Sequence, residues 1–382
     1  MKRTLAPIIT RDAAKKIILL SGPRQSGKTT LAKMIDPQAT YLNYDDIEDR
    51  QRIHDRSWNP KSSTLILDEL HKMPEWKRFL KGLYDTRGIP PQLLVTGSAK
   101  MDTYRKVGDS LAGRFFSFRV HPLDIKEAHP QFSAQVSFER LMRVGGFPEP
   151  FLSDEDTTFY GRWVKSHLDI ILRQDLVDMA TIQDIHTIER LIELLRHRVG
   201  SSISYANLAR DLHKDPKTIK RWLTLLEDLY IIFSLTPYHQ RVTRSLLKEP
   251  KYYFYNPAYT KGDIGARFEN VVACALLKHC HWQQDIEGQD MDLHFLRTHT
   301  GHEVDFAITL DNSPICLIEC KWTDTTLSRH LPYFQSIFPE ASAVQLVGQG
   351  LRHARYYPEN NREIAVASDW LRDLAPTTAP QK

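Results

Sequence analysis

Gly22, Pro23, Arg24, Gln25, Ser26, Gly27, Lys28 and Thr29 follow one another as GxxxxGK[ST], a spacing suited to gripping phosphate. Phosphates carry dense negative charge. A site for them needs backbone N–H groups at short range, glycines that let the chain curl, and a helix N-terminus whose dipole faces the anion. In such a loop Lys28 reaches the β/γ-phosphates of a nucleotide, the Thr29 hydroxyl holds Mg²⁺, and Thr30 closes the set. A metal needs an acidic answer, and the run Thr64, Leu65, Ile66, Leu67 ends in Asp68 and Glu69. Asp68 is expected in the metal shell, and Glu69 is expected to orient the attacking water. A third apolar run, Gln92 to Val95, ends in Thr96, Gly97 and Ser98. Ser98, with Thr96 next in line, is expected to sense the terminal phosphate. Arg114 follows a glycine-rich turn that begins at Gly108. It is read either as a catalytic finger on a neighbouring subunit's nucleotide or as a surface ion pair.

A second set of reactive side chains lies near the C-terminus. Glu319 and Lys321 are two apart on a strand-like run, so they share a face, and Asp305 on the preceding run can lie within reach of Glu319. Glu269 can join from a helix. Carboxylates around one point bind a hard divalent ion, and a lysine beside them can position water for phosphodiester attack. The pattern Glu269, Asp305, Glu319-x-Lys321 resembles the PD-(D/E)xK restriction-endonuclease-like fold, which would make these residues a nuclease site. The alternative is a structural ion cluster. Cys274, His279, Cys280 and His281 could be drawn as a metal cluster, but Cys274 to Leu277 reads as a buried helical face, so inert cysteines are expected, and the four cysteines form no CxxC pair.

These residues need elements to hold them. Lys16 to Leu20 reads as a buried strand entering the loop, and Thr30 to Ile35 as the helix leaving it. With the runs at Thr64 and Gln92 and a helix from Pro74 to Asp85, the order is that of a parallel sheet wrapped by helices. Residues 138–178 carry helix-spaced apolar positions, and Ile188 to Val199 is amphipathic. Ser204 to His213 and Lys217 to Tyr230 read as short helix, tight turn and longer helix, the helix-turn-helix plan, with the strand-like Ile231 to Thr236 beginning a wing. If that module meets DNA, Lys217, Thr218, Lys220 and Arg221 face the groove. If not, it packs on the core and transmits nucleotide state. The expected domains are 1–130 (phosphate-binding), 131–185 (helical lid or linker), 186–250 (winged helix-turn-helix) and 251–378 (endonuclease-like).

A length of 382 residues calls for two or three domains, since single cores stop growing at roughly 250–300 residues. With 41% hydrophobic and 26% charged residues, disordered, collagenous and membrane classes are excluded. No run approaches the roughly 18 apolar residues a spanning helix needs, and the first residues lack the apolar core of a signal peptide. The expected compartment is cytoplasmic, with no membrane partner. A net charge of +4 permits nucleic-acid contact without demanding it.

Taken together, the loop, Leu67 to Lys72, Leu94 to Ala99, Ser110 to Arg114, Gly145 to Pro150, Arg267 to Asn270 and Glu303 to Phe306 resemble one prokaryotic family. It is the family of AAA-type ATPases with a C-terminal domain of unknown function and endonuclease-like fold. The resemblance covers nearly the whole chain up to about Trp370. It implies ATP and Mg²⁺ binding at Gly27, Lys28, Thr29, Asp68 and Glu69. Relatives of this type often work as oligomers, which would give Arg114 its task, and their helix-turn-helix can be purely regulatory. The expected activity is an ATPase switch acting on or near DNA. A Mg²⁺-dependent endonuclease regulated by ATP, and a binding platform with an inactive nuclease fold, are the alternatives.

Overall fold

A computed structural model of the chain describes residues 3–98, 111–153, 157–175, 184–239 and 249–374. The chain divides into two compact units, Met1–Pro122 with Asp228–Tyr230, and Leu123–Glu227 with Ile231–Lys382.

The first unit runs α1 (Ala6–Ala13), β1 (Ile17–Ser21), α2 (Lys28–Ile35), β2 (Thr40–Asn43), α3 (Ile47–Asp55), β3 (Thr64–Asp68), α4 (Trp76–Arg87), β4 (Gln92–Gly97) and β5 (Phe115–Arg119). All residues of β1 and β3 are buried, as continuous apolar runs must be in a sheet covered on both faces. The sheet order is β2-β3-β4-β1-β5, parallel throughout. The acidic strand β3 is therefore not the neighbour of β1, because β4 is inserted between them. Parallel register brings the ends of β1, β4 and β3 level, pairing Ser21 with Gly97 and Thr96 with Asp68. Leu19, Leu67, Trp76 and Leu80 belong to the core on one side of this sheet.

The second unit begins with α5 (Ile125–Ala128), α6 (Ala134–Val144), α7 (Pro148–Leu152) and α8 (Thr157–Ile170). Then come α9 (Ile185–Arg196), α10 (Tyr205–Leu212), α11 (Pro216–Asp228), β6 (Ile232–Leu235) and β7 (Lys251–Phe254). The amphipathic α10 and α11 bury Leu208, Leu212, Ile219, Trp222 and Leu226. Between them His213 adopts a left-handed backbone that turns the chain. β6 and β7 form an antiparallel pair, so Lys251 opens a hairpin strand and no strand of the large sheet.

The unit continues with α12 (Ile264–Trp282), β8 (Met291–Arg297), β9 (Glu303–Leu310), β10 (Ser313–Lys321), α13 (His330–Ile337), β11 (Ser342–Val347), β12 (Arg355–Tyr357), β13 (Arg362–Val366) and α14 (Ala367–Arg372). The sheet order is β12-β13-β11-β10-β9-β8. β8, β9 and β10 form an antiparallel meander. Asp311 and Asn312, both at positive φ, form the two-residue turn from β9 into β10, the backbone a tight hairpin demands. β10 and β11 are parallel, and α13 makes the crossover that parallel pairing requires. Cys274, Cys280, Cys316 and Cys320 are free thiols, and no described helix is long and apolar enough to cross a membrane.

Candidate functional site

The loop between β1 and α2 is fixed by backbone geometry that its residue types permit. Gly22 has φ 150°, and a Cβ there would lie 2.4 Å from the Val120 carbonyl oxygen, so only glycine fits. Gly27 has φ 91° and caps α2. Lys28 is 6% exposed, and its Nζ donates to the carbonyls of Gly22 at 2.9 Å and Pro23 at 2.7 Å. From the other side the guanidinium of Arg3 donates to the Ser26 carbonyl at 3.0 Å and to the His121 carbonyl. Pro23 and Ser26 are buried, Arg24 is half-buried, and Gln25 and Thr30 are exposed at the mouth.

Across the strand ends Asp68 collects three hydroxyls. Thr29, 39 residues earlier, donates to Oδ2 at 2.9 Å, Tyr41 donates to the same oxygen at 2.7 Å, and Thr96 donates to Oδ1. The Lys33 ammonium lies 3.6 Å from the Tyr41 ring centroid. Burial and the Asp68 carboxylate push the Tyr41 phenol well above its ordinary range. It is therefore a donor only. Glu69 leaves the strand in the left-handed region (φ 54°), which turns its carboxylate to the Ser98 hydroxyl at 3.3 Å and the His71 Nε2 at 3.7 Å. Burial pushes His71 down to about 4, so its ring is neutral near pH 7. Lys28, Thr29, Asp68, Glu69, Thr96 and Ser98 thus surround one end of the sheet. Their hard oxygens and buried ammonium suit a Mg²⁺-nucleotide in chemical type.

Arg114 is not part of that group. It precedes β5 at the opposite end of the strands, where its carbonyl accepts from Ile17 N, and its guanidinium pairs with Asp85 at 2.7 Å. Register decides the matter: Phe115 pairs with Ile17, whereas the loop leaves β1 at Ser21. A catalytic role of Arg114 on its own chain's nucleotide is excluded by this placement, and the surface ion pair is what forms. The glycine-rich residues 108–110 before it lie outside the described residues.

The C-terminal acids do come together, with a partner that the sequence analysis did not include. Asp305 Oδ2 accepts from Cys320 N at 2.8 Å, and Lys321 pairs with Glu319 at 2.8 Å. Glu319 also accepts from Ser328 at 3.3 Å, while its Oε2 is buried with no hydrogen-bond partner. Glu269 accepts from Tyr253 at 2.7 Å. Lys251, 2% exposed, lies 3.7 Å from Glu269 and 2.6 Å from Glu303. Burial and the Asp305 carboxylate push Glu269 up to about 8 and Glu319 up to about 7. Among the described residues no three His, Cys, Asp or Glu side chains are placed to hold a metal ion. Two of the named carboxylates, Asp305 and Glu319, share the face with Lys321, and Glu269 is engaged by Tyr253 and Lys251 instead.

On α11, Lys217, Lys220 and Arg221 are exposed and Thr218 is half-buried, so the four lie together on the outward side of the helix. Arg241, Arg244 and Lys248 fall outside the described residues.

Residues 14–129 match the family model described as AAA domain. This segment is similar to AAA domains. Residues 135–260 and 264–364 match two domains of unknown function, DUF8612 and DUF4143. An uncharacterized protein of Mycobacterium tuberculosis is 29% identical over 258 residues, a match covering 64% of this chain and 57% of that one. An uncharacterized protein of Haemophilus influenzae is 22% identical over 304 residues, covering 69% of this chain and 74% of its own. The match thus spans little more than half the length of the mycobacterial relative. Among solved structures, a STAND ATPase with a tetratricopeptide-repeat sensor from Pyrococcus horikoshii aligns at 12% identity and a TM-score of 0.24, covering 74% of this chain and 46% of that one.

Sequence reasoning missed three residues of the AAA domain's site: Arg3, Tyr41 and His71. Tyr41 lies on the strand beside β3, where Asn43 pairs with Asp68, so a strand-order assignment would have found it. For Arg3 no local signal exists.

Proposed function

We propose that the protein is an ATP-hydrolysing switch whose AAA domain binds ATP with Mg²⁺ at Lys28, Thr29 and Asp68. The observation that carries this reading is the Thr29–Asp68 hydrogen bond, which joins the phosphate loop to the acidic strand across the inserted β4. Bound ATP supplies the phosphoanhydride, and Mg²⁺ neutralises charge on its phosphates. The chain's own groups do the rest. Lys28 exchanges the carbonyls of Gly22 and Pro23 for phosphate oxygens, and backbone N–H groups between Arg24 and Thr30 cradle the anion. Asp68 and Thr29 offer oxygens to the metal, with Tyr41 and Thr96 fixing the carboxylate. Glu69 orients water and takes its proton, and Ser98, hydrogen-bonded to Glu69, relays the state of the terminal phosphate. Arg114, displaced from its own chain's site, reaches a nucleotide only in a homo-oligomer. In Glu69→Gln, ATP affinity should stay within about threefold of wild type while turnover falls by roughly 10²-fold or more. Phosphate release at saturating ATP measures it, and full turnover in the variant would remove Glu69 from catalysis.

For the second unit we propose a winged helix-turn-helix formed by α10, α11 and the β6–β7 hairpin, with α11 facing DNA, and a nuclease-like sheet carrying Asp305, Glu319 and Lys321. The specific observation favouring cleavage chemistry is the buried, unpartnered Oε2 of Glu319, whose other oxygen pairs with Lys321. Mg²⁺-dependent cutting would be lost in Lys321→Ala. Binding should instead depend on Lys220 and Arg221: their joint replacement by alanine is expected to weaken DNA affinity about tenfold and to flatten its salt dependence. Fluorescence anisotropy across a salt series, with a plasmid cleavage assay beside it, reads both. Salt-independent binding would leave protein partners as the targets.

A further inference from the structure

We infer that Arg3 is the permanent brace of the phosphate loop, a positioning residue that keeps the loop open for the anion. This rests on the ATP-binding reading above.

A loop that turns its N–H groups inward must turn its carbonyls outward, and a buried carbonyl needs a donor. Ser26 is fully buried. Its carbonyl receives the Arg3 Nη1 at 3.0 Å, while Arg3 Nη2 donates to the His121 carbonyl beyond β5. One guanidinium fork thus ties the loop to the chain that follows the strand on the far side of β1. Gly22 meets the same segment from within the loop, since its Cα has no room for a Cβ beside the Val120 carbonyl. The loop is therefore clamped to residues 120–121 at two points.

Lys28 and Arg3 engage this loop in different ways. Lys28 holds the carbonyls of Gly22 and Pro23, bonds it must give up in order to reach a phosphate. The Arg3 guanidinium donates to the Ser26 and His121 carbonyls, which are not the ones Lys28 holds, and the side chain is 7% exposed, so these two bonds persist through the exchange. It is set there by α1, whose Ile9 and Ala13 are fully buried and which packs on α2, β1 and β4. The planar fork matters because it presents two donors in one rigid plane, where a lysine presents a single ammonium on a flexible stem.

The test is hydrogen exchange on the full-length protein without nucleotide, in wild type, Arg3→Met and Arg3→Lys, followed by titration with a fluorescent ATP analogue. The amides of residues 22–28 should exchange roughly tenfold faster in Arg3→Met, with those of α4 and of the large sheet unchanged, since a hydrogen bond to a charged group is lost at one place. ATP affinity should fall about tenfold or more in Arg3→Met and by less in Arg3→Lys. Uniform acceleration of all amides, or loop exchange and affinity equal to wild type, would overturn the brace. Should Arg3→Met not fold, Arg3→Lys decides: wild-type loop exchange there overturns the inference. A wild-type protein that binds no ATP would sink the ATPase reading and leave the exchange result to judge Arg3 on its own.

Discussion

In Lys28→Ala, ATP binding is expected to weaken by roughly ten- to a hundredfold. Lys28 is the one loop side chain whose ammonium already sits inside the curl, held 2.7–2.9 Å from two carbonyls that a phosphate would replace. Removing it deletes a charge-assisted contact to the phosphates, worth about 1.5–3 kcal/mol, and leaves two carbonyls at a buried position without their donor. Both losses fall on the same loop. Isothermal titration with ATP and Mg²⁺ checks the expectation, and an unchanged dissociation constant would move the nucleotide site elsewhere.

The second large effect belongs to stability. In Lys251→Met the chain should lose about 1–3 kcal/mol, because Glu303, 32% exposed, loses the ammonium it pairs with and the neighbouring acids lose a buried cation. Lys251 is 2% exposed and lies within 3.7 Å of both Glu269 and Glu303, with its ammonium 5.1 Å from the Phe295 ring centroid. A urea midpoint near wild type would show that the cluster contributes nothing to folding. The same cluster sets a pH dependence. Glu269 is pushed from 4.5 up to about 8, so between those values the folded chain retains a proton that the unfolded chain has released. Its contribution to stability is then full below pH 4.5 and falls as pH rises towards 8. Glu319, pushed up to about 7, adds the same sign over a narrower window. Glu269→Gln cannot ionise, so its urea midpoint should decline less than that of wild type between pH 5 and 8. Parallel declines would remove Glu269 from the effect.

What was legible in the sequence was what local spacing encodes. The phosphate loop is eight consecutive residues, and its glycines announce their backbone. Asp68 and Glu69 stand at the end of an apolar run that can only be a buried strand, and the carboxylates Asp305 and Glu319 with Lys321 follow from alternation along strands. Strand order is a different kind of information. Nothing near Thr64 says that β4 will lie between it and β1. A role for Arg114 on a neighbouring subunit's nucleotide is likewise not encoded in the spacing of one chain. Nothing in the sequence around Lys251 singles it out. Its acids come from α12 and β9, and a long-range ion pair leaves no periodicity to find. Arg3 is the extreme case: an arginine beside a lysine near the N-terminus looks like solvated charge until the fold carries it to Ser26.

Three residues from the middle of the chain, Asp228–Tyr230, belong to the first unit, and the Tyr230 hydroxyl donates to Ser21 Oγ at 3.1 Å, one residue before Gly22. The AAA domain is consequently no excisable cassette. A fragment ending at residue 129 would lack the tyrosine that touches the root of its phosphate loop. A gene fusion or a domain swap made at that boundary would transplant the motif without its full setting. The chain visits the first unit, leaves it, and returns once. A recombination event that preserved this site would have to carry the intervening helices with it, which binds the histories of the two units together.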